Sequence, residues 1–169
     1  MNPQIPVGRV IDLGQVYRIN DVDIHESYTV NSIFGEGRTV VFGGPAPFSK
    51  LDTQQAVSYE QASNTILALG VDQIIGLYVQ DAFVMKEFQQ RVRDLAGTDN
   101  VKFYGDGDGF FIRNYGLDFD FTYQGLSVRS WRWAAVVFNG RVEYSAWDDF
   151  QLIEKTAVEQ VLEFLKNET

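Results

Sequence analysis

Three short β-branched runs, each followed by a turn or a segment of helical spacing, constrain this chain more than any other feature. The first is RTVVF at 38–42, which runs straight into Gly43, Gly44 and Pro45 and so reads as a buried strand entering a loop. After Asp52, Ala56, Tyr59, Ala62, Ile66 and Leu69 recur at helical spacing until Gly70 stops them. The run VDQIIGLYV at 71–79 is then a second buried strand. Asp81 suits the N-cap of the next helix, whose apolar face is Phe83, Phe88, Val92 and Leu95 and which Gly97 closes. VKFY at 101–104 is the third strand. Strands joined by crossover helices lie parallel, with right-handed connections.

The remainder has an antiparallel character. VRSWRWAAVVF at 128–138 and RVEYSAW at 141–147 are strands joined by Asn139 and Gly140, the strongest short hairpin signal. The spacing of Leu152, Ile153, Val158, Val161, Leu162 and Leu165 predicts an amphipathic closing helix over 150–165. Residues 1–36 add an N-terminal strand or hairpin. The sum is an α/β chain with a mixed central sheet flanked by helices, the parts of a thioredoxin-like fold with an N-terminal extension. At 169 residues and 45% hydrophobic, the chain is expected to form one domain over 1–169.

Composition narrows the function. A net charge of −9 opposes nucleic acid and anionic membranes as partners. The first twenty residues lack a basic start and a sustained apolar run, and no stretch is long enough to span a bilayer, so a soluble, cytoplasmic protein is expected. The absence of cysteine excludes disulfides, thiolate nucleophiles and sulfur-bound metals at once. With a single histidine, His25, beside Glu26, an imidazole metal site is not expected, nor is a cofactor; His25 reads as a surface residue. GDGDG at 105–109 reads as a turn, because Asp118 and Asp120 do not complete a calcium loop. Asp148 and Asp149 read as solvated residues at the start of the closing helix rather than as an acid and base pair.

The segment TVVFGGPAPFSKLDT at 39–53 resembles the active-site strand and loop of the peroxiredoxin five subfamily, where a strand enters a PGAFTPTC-like motif. Pro45 and Phe48 match it, Ser49 replaces a threonine but keeps a hydroxyl, Lys50 takes the place of the second proline, and the cysteine position falls on Asp52. SIFGEGRTVVF at 32–42, VQDAFVMKEF at 79–88, FYGDGDGFF at 103–111 and RSWRWAAVVFNG at 129–140 extend the resemblance over essentially the whole chain. The last places Arg132 at the family's catalytic arginine.

The resemblance implies a pocket of Pro45, Phe48, Ser49 and Arg132 around Asp52, and a homodimer contact through Phe48, Asp81 and Phe83. Family members stabilise a thiolate with a helix N-terminus and an arginine, and that thiolate attacks the O–O bond to become a sulfenic acid. A carboxylate supplies the charge without the redox chemistry. An Asp52–Arg132 ion pair is therefore expected, with both the helix and the arginine favouring ionisation; Asp52 would serve equally as a plain N-cap. The aromatic residues Phe48, Tyr78, Phe83, Trp131 and Trp133 are either core or the rim of the pocket and a dimer interface. Two functions follow. One is a non-catalytic homologue acting by binding, either as a homodimer with a ligand near Arg132 or as the partner of a cysteine-bearing relative. The other is a thiol-dependent peroxidase or other antioxidant enzyme working by a route not visible in the sequence, which would need an outside redox group because neither Met1 nor Met85 could turn over. Deliberate replacement of the cysteine is disfavoured by the accompanying differences at Ala46, Pro47, Lys50 and Leu51.

Overall fold

A computed structural model describes residues 3–168. Its strands are β1 (Gln15–Ile19), β2 (His25–Thr29), β3 (Arg38–Gly43), β4 (Gln73–Tyr78), β5 (Val101–Gly105), β6 (Asp118–Asp120), β7 (Val128–Ser130), β8 (Arg132–Phe138) and β9 (Arg141–Asp148). Its helices are α1 (Val30–Phe34), α2 (Lys50–Gln61), α3 (Ser63–Ala68), α4 (Ala82–Ala96), α5 (Phe110–Asn114) and α6 (Val158–Asn167). Seven strands form one sheet in the order β2-β1-β5-β4-β3-β8-β9, and β6 with β7 makes a separate ribbon. Only β3–β4 and β4–β5 pair in parallel, as the crossover pattern requires.

Because β3, β4 and β5 step across the sheet in one direction, right-handed crossovers put α2, α3 and α4 on the same face. There Phe42, Ile74 and Phe103 from the strands meet Ala56, Tyr59, Met85 and Phe88, and α6 completes the layer with Val158, Val161 and Leu165. The opposite face is covered by α1, α5 and the N-terminal segment, through Phe34, Phe111, Ile5 and Ile11 packed on Val41, Leu77 and Trp133. The sheet is thus buried on both sides, which explains why its central strands read as continuous apolar runs. The hairpin between β8 and β9 turns at Asn139 and Gly140 with φ of 48° and 82°, the left-handed pair that an Asn-Gly turn supplies without strain.

Several elements differ from the expectation. The helix after Asp52 starts two residues before it, at Lys50, and is interrupted near Ala62 (φ −90°, ψ 1°), so α2 and α3 are distinct. The predicted helix over 150–165 begins only at Val158; Leu152 and Ile153 lie in a loop. The strand at 128–138 is broken at Trp131, where the chain leaves the β6–β7 ribbon for the main sheet. GDGDG does turn, but it leads into α5, and buried Asp106 accepts hydrogen bonds from the N–H groups of Phe111 (3.0 Å) and Ile112 (3.1 Å). His25 is exposed as expected, on the edge strand β2 and against the rings of Tyr17 and Phe83.

Candidate functional site

The loop leaving β3 meets the N-terminus of α2 and the first residue of β8, and this junction collects most of the residues singled out in the sequence. Ser49 is the N-cap of α2: its hydroxyl oxygen lies 3.4 Å from the Asp52 N–H. Asp52 is therefore not the cap but the third helical residue, and its carboxylate reaches back past the cap into the preceding loop. Oδ2 accepts from the Ser49 hydroxyl at 2.9 Å and from the Ala46 N–H at 3.1 Å. Oδ1 accepts from Arg132 Nη1 at 2.9 Å, with both side chains 1% exposed. The expected ion pair is present and fully buried.

The electrostatic outcome differs from the expectation that ionisation is simply favoured. Burial pushes the Asp52 carboxyl above its ordinary value, and the Arg132 charge, the Ser49 hydroxyl and the Ala46 N–H oppose that rise. Desolvation wins because both side chains of the pair are 1% exposed.

Arg132 is almost fully committed to the protein. Besides Asp52, its Nη1 donates to Gln55 Oε1 at 3.0 Å, its Nη2 to the Phe150 carbonyl at 3.0 Å, and its Nε to the Leu152 carbonyl at 2.9 Å. Those carbonyls are aimed by Asp148. Far from being solvated, Asp148 is 4% exposed and accepts from the N–H groups of Glu154 (2.9 Å), Lys155 (3.1 Å) and Thr156 (2.9 Å) and from the Thr156 hydroxyl (2.7 Å). Burial opposes its ionisation, but these donors together hold its carboxyl below the usual aspartate value. It folds the 149–157 loop over Arg132, whereas Asp149 beside it is exposed.

Gly44 makes this arrangement possible. A Cβ there would lie 1.8 Å from Asp52 Oδ1 and 3.0 Å from Arg132 Nη1, so the carboxylate occupies the space a side chain would fill. Continuing the register in which Phe42 faces Gly76 and Ala134 puts Gly44 level with Tyr78 and Arg132. Tyr78 is completely buried, its hydroxyl has no hydrogen-bond partner among the described residues, and burial followed by the Asp52 charge pushes its pKa well above 10.0.

A hollow of about 300 Å³ opens above the ion pair. Pro45, Ala46, Leu51, Leu126 and Phe150 form its walls, Ser49, Asp52 and Arg132 its floor, and Lys50, Gln124 and Gln151 its rim. Pro45, Ser49 and Arg132 thus gather around Asp52. Phe48 does not line this hollow; it lies outside, 47% exposed, with its ring against Phe88. Asp81 caps α4 by accepting from the Val84 N–H at 2.9 Å, and neighbouring Phe83 is 65% exposed. Trp133 is core, while Trp131 stands half-buried in an aromatic cluster with Phe119, Phe121 and Phe150. Gln55, Asp148 and the two loop carbonyls carry no sequence signature, because their roles depend on the path of an irregular loop.

Comparison with known proteins fits this geometry: residues 19–162 match the family model described as Redoxin. The chain belongs to the peroxiredoxins. It is 37% identical over 119 residues to a peroxiredoxin of Synechocystis, covering 70% of this chain and 61% of that one. It is 35% identical over 115 residues to the mitochondrial peroxiredoxin-2F of Arabidopsis thaliana, covering 68% and 56%. The matched segment therefore spans less than two thirds of either relative. Peroxiredoxin-2D of the same plant aligns over 95% of this chain and 98% of its own length at 27% identity. Among solved structures, a reduced peroxiredoxin from Vibrio vulnificus in complex with hydrogen peroxide superposes with a TM-score of 0.87 at 25% identity, over 97% of this chain and 98% of that one. The peroxiredoxin fold is retained in a chain without cysteine.

Proposed function

We propose that this chain is a non-catalytic peroxiredoxin that acts by association, as a homodimer or as the partner of a cysteine-bearing relative. The observation that carries the reading is the buried carboxylate of Asp52, which stands where the resemblance puts the peroxidatic cysteine and closes an ion pair with Arg132 at 2.9 Å. Its oxygens are hard, weak nucleophiles toward peroxide and have no sulfenic-acid equivalent to form. All three donors around it point at the carboxylate, so the residues that would orient a peroxide in a relative are engaged internally here.

The association half of the reading draws on Phe48, Asp81 and Phe83. Phe48 holds φ at 71°, a left-handed conformation that is strained for an aromatic residue, and it does so while about half exposed. Strain kept at an exposed apolar residue supports a contact surface, and Phe83 in the first turn of α4 is a second exposed aromatic residue.

Two measurements test the reading together. Peroxide consumption by the purified chain, with glutathione and glutaredoxin or with thioredoxin supplied, should match buffer. Sedimentation velocity should report a dimer, or a heterodimer when a cysteine-bearing relative is added. Thiol-dependent peroxide turnover by the unmodified chain, or a strict monomer that binds no relative, would remove the proposal.

A further inference from the structure

The main sheet does not close completely along β1. This strand pairs with β5 only at Tyr17 and Gly105, and beyond that point the Phe103 N–H donates to the side chain of Gln89 instead, at 3.2 Å. A hollow of about 340 Å³ lies at the opening, with Arg18 and Ile19 of β1, Phe103 of β5 and Lys86, Gln89 and Arg93 of α4 in its wall. It shares no residue with the hollow above Asp52. We propose that it binds the phosphate group of a small molecule, a site that goes beyond the non-catalytic reading and does not depend on it.

Arg18 is the decisive residue. Its side chain is 7% exposed, yet among the described residues it donates a single hydrogen bond, from Nη2 to Asp21 Oδ1 at 3.2 Å, and Asp21 is itself 86% exposed. Nε is enclosed without a partner, although a guanidinium brings five N–H donors. A buried charge paired this thinly is costly to hold. Nη1 makes no hydrogen bond either but, unlike Nε, is not enclosed, so its donors stand open to a ligand. The guanidinium also stands at the wall of the hollow, because Asp21, the residue it bonds, lines the same space.

Two further cations line the hollow. Lys86 is paired with Asp23 and Arg93 with Asp99 at 2.6 Å, and Arg93 Nε is a second enclosed donor without a partner. Asp21, Asp23 and Asp99 are all exposed, so water screens their charge, whereas Arg18 is shielded from it. The buried cation therefore dominates the interior, although three acids and three bases line the space. A phosphate monoester carries three strong acceptor oxygens on a tetrahedral centre and can address the three cations together, which a planar carboxylate cannot. The net charge of −9 repels anions at long range, but acids farther off than the Debye length, about 8 Å at physiological ionic strength, are largely screened. The volume lies at the small end of ligand pockets and suits an ester no larger than a glycerol phosphate.

Glycerol 1-phosphate, inorganic phosphate and glycerol make the test, with ionic strength matched by chloride. In amide-resolved NMR titrations of the full chain, glycerol 1-phosphate should shift the signals of Ile19, Gln89 and Phe103 saturably, and glycerol should not. Inorganic phosphate binding as tightly as the ester would support the site and assign it to the free ion; weaker binding would assign it to the ester. Arg18→Met should weaken binding at least about tenfold. Lys86→Gln and Arg93→Gln, on the outer part of α4, should each weaken it too, and they decide the matter alone if Arg18→Met fails to fold. Asp21→Asn, at an exposed position, should tighten binding by freeing Arg18 Nη2. The proposal is overturned if glycerol 1-phosphate gives no saturable shifts, if glycerol gives the same ones, if the two α4 variants leave the affinity unchanged, or if Asp21→Asn weakens it. A chain that dimerises and lacks peroxidase activity yet shows no such shifts would sink this proposal and leave the non-catalytic reading standing. Thiol-dependent peroxide turnover alongside the shifts would do the reverse.

Discussion

Removing the resident carboxylate with Asp52→Ala should expose how much of the fold depends on filling the family's anion site. Asp52 and Arg132 are both 1% exposed, so the substitution strands a buried guanidinium charge, and breaking such a pair from one side costs about 3–5 kcal/mol. Arg132 keeps acceptors on Gln55, Phe150 and Leu152, which puts the expected loss near the lower end, about 3 kcal/mol. For a chain of this length that corresponds to a fall in Tm of roughly 6–12 °C. The vacated space is bounded by the Arg132 guanidinium, the Ser49 hydroxyl and the Ala46 N–H, so a small carboxylate should refill it. Urea unfolding in rising formate therefore ought to restore the variant by about 2.7 kcal/mol at a hundredfold excess over Kd, while leaving the unmodified chain alone. Arg132→Ala should be damaging too, and the double variant should lose clearly less than the two single losses added. A loss below about 1 kcal/mol for Asp52→Ala, or formate stabilising both chains alike, would refute the argument that the pair is a closed electrostatic unit.

Gly44→Ala should destabilise by roughly 2–3 kcal/mol, because its Cβ would overlap Asp52 Oδ1, and combining it with Asp52→Ala should recover part of that loss in urea unfolding. The pH dependence should separate the two buried aspartates. Asp148 is held below the ordinary 3.8, so its contribution is present above that pH and lost as pH falls through the depressed folded value; the stability gap between the unmodified chain and Asp148→Asn should shrink on acidification. Asp52 is raised above 3.8, so the folded state holds its proton more tightly than the unfolded chain; its contribution is greatest at low pH and declines as pH rises through the folded value, and the gap to Asp52→Asn should move in the opposite direction. Unfolding midpoints measured from neutral pH to below 3.8 check both signs. Phe48→Gly should leave monomer stability within about 1 kcal/mol, relief of the positive φ offsetting the lost contact with Phe88, yet weaken self-association in sedimentation velocity. Equal dimer strength in the two chains would take Phe48 out of the interface.

What the sequence made legible is what local chemistry determines. The three parallel strands show as apolar runs because both sheet faces are covered, and the β8–β9 turn shows because Asn139 and Gly140 supply its dihedral angles. The pairing of Asp52 with Arg132 was legible from motif resemblance, although 80 residues separate them. The 149–157 loop was not, because the apolar spacing of Leu152 and Ile153 imitates a helix. In the folded chain the Asp148 carboxylate takes the backbone donors of 154–156, offering that segment a local alternative to helical pairing. That miss bears on function. The loop supplies two of the four acceptors that hold Arg132, so losing a cysteine and gaining a carboxylate does not by itself describe the change in this pocket. A site that had merely lost its nucleophile would leave the arginine free for substrate. Here Asp52 and Gln55 from α2 and the Asp148-anchored carbonyls of the loop engage it from two segments of the chain, and Gly44 leaves the room for them to do so. Restoring a cysteine at position 52 therefore asks two separate things of the variant. The thiolate must inherit the helix N-terminus, and the loop must give up at least one carbonyl contact before Arg132 can reach a peroxide oxygen. An Asp52→Cys protein that alkylates rapidly at low pH but reduces peroxide slowly would locate the block in the loop rather than in the nucleophile, because thiolate formation needs only the first of these conditions.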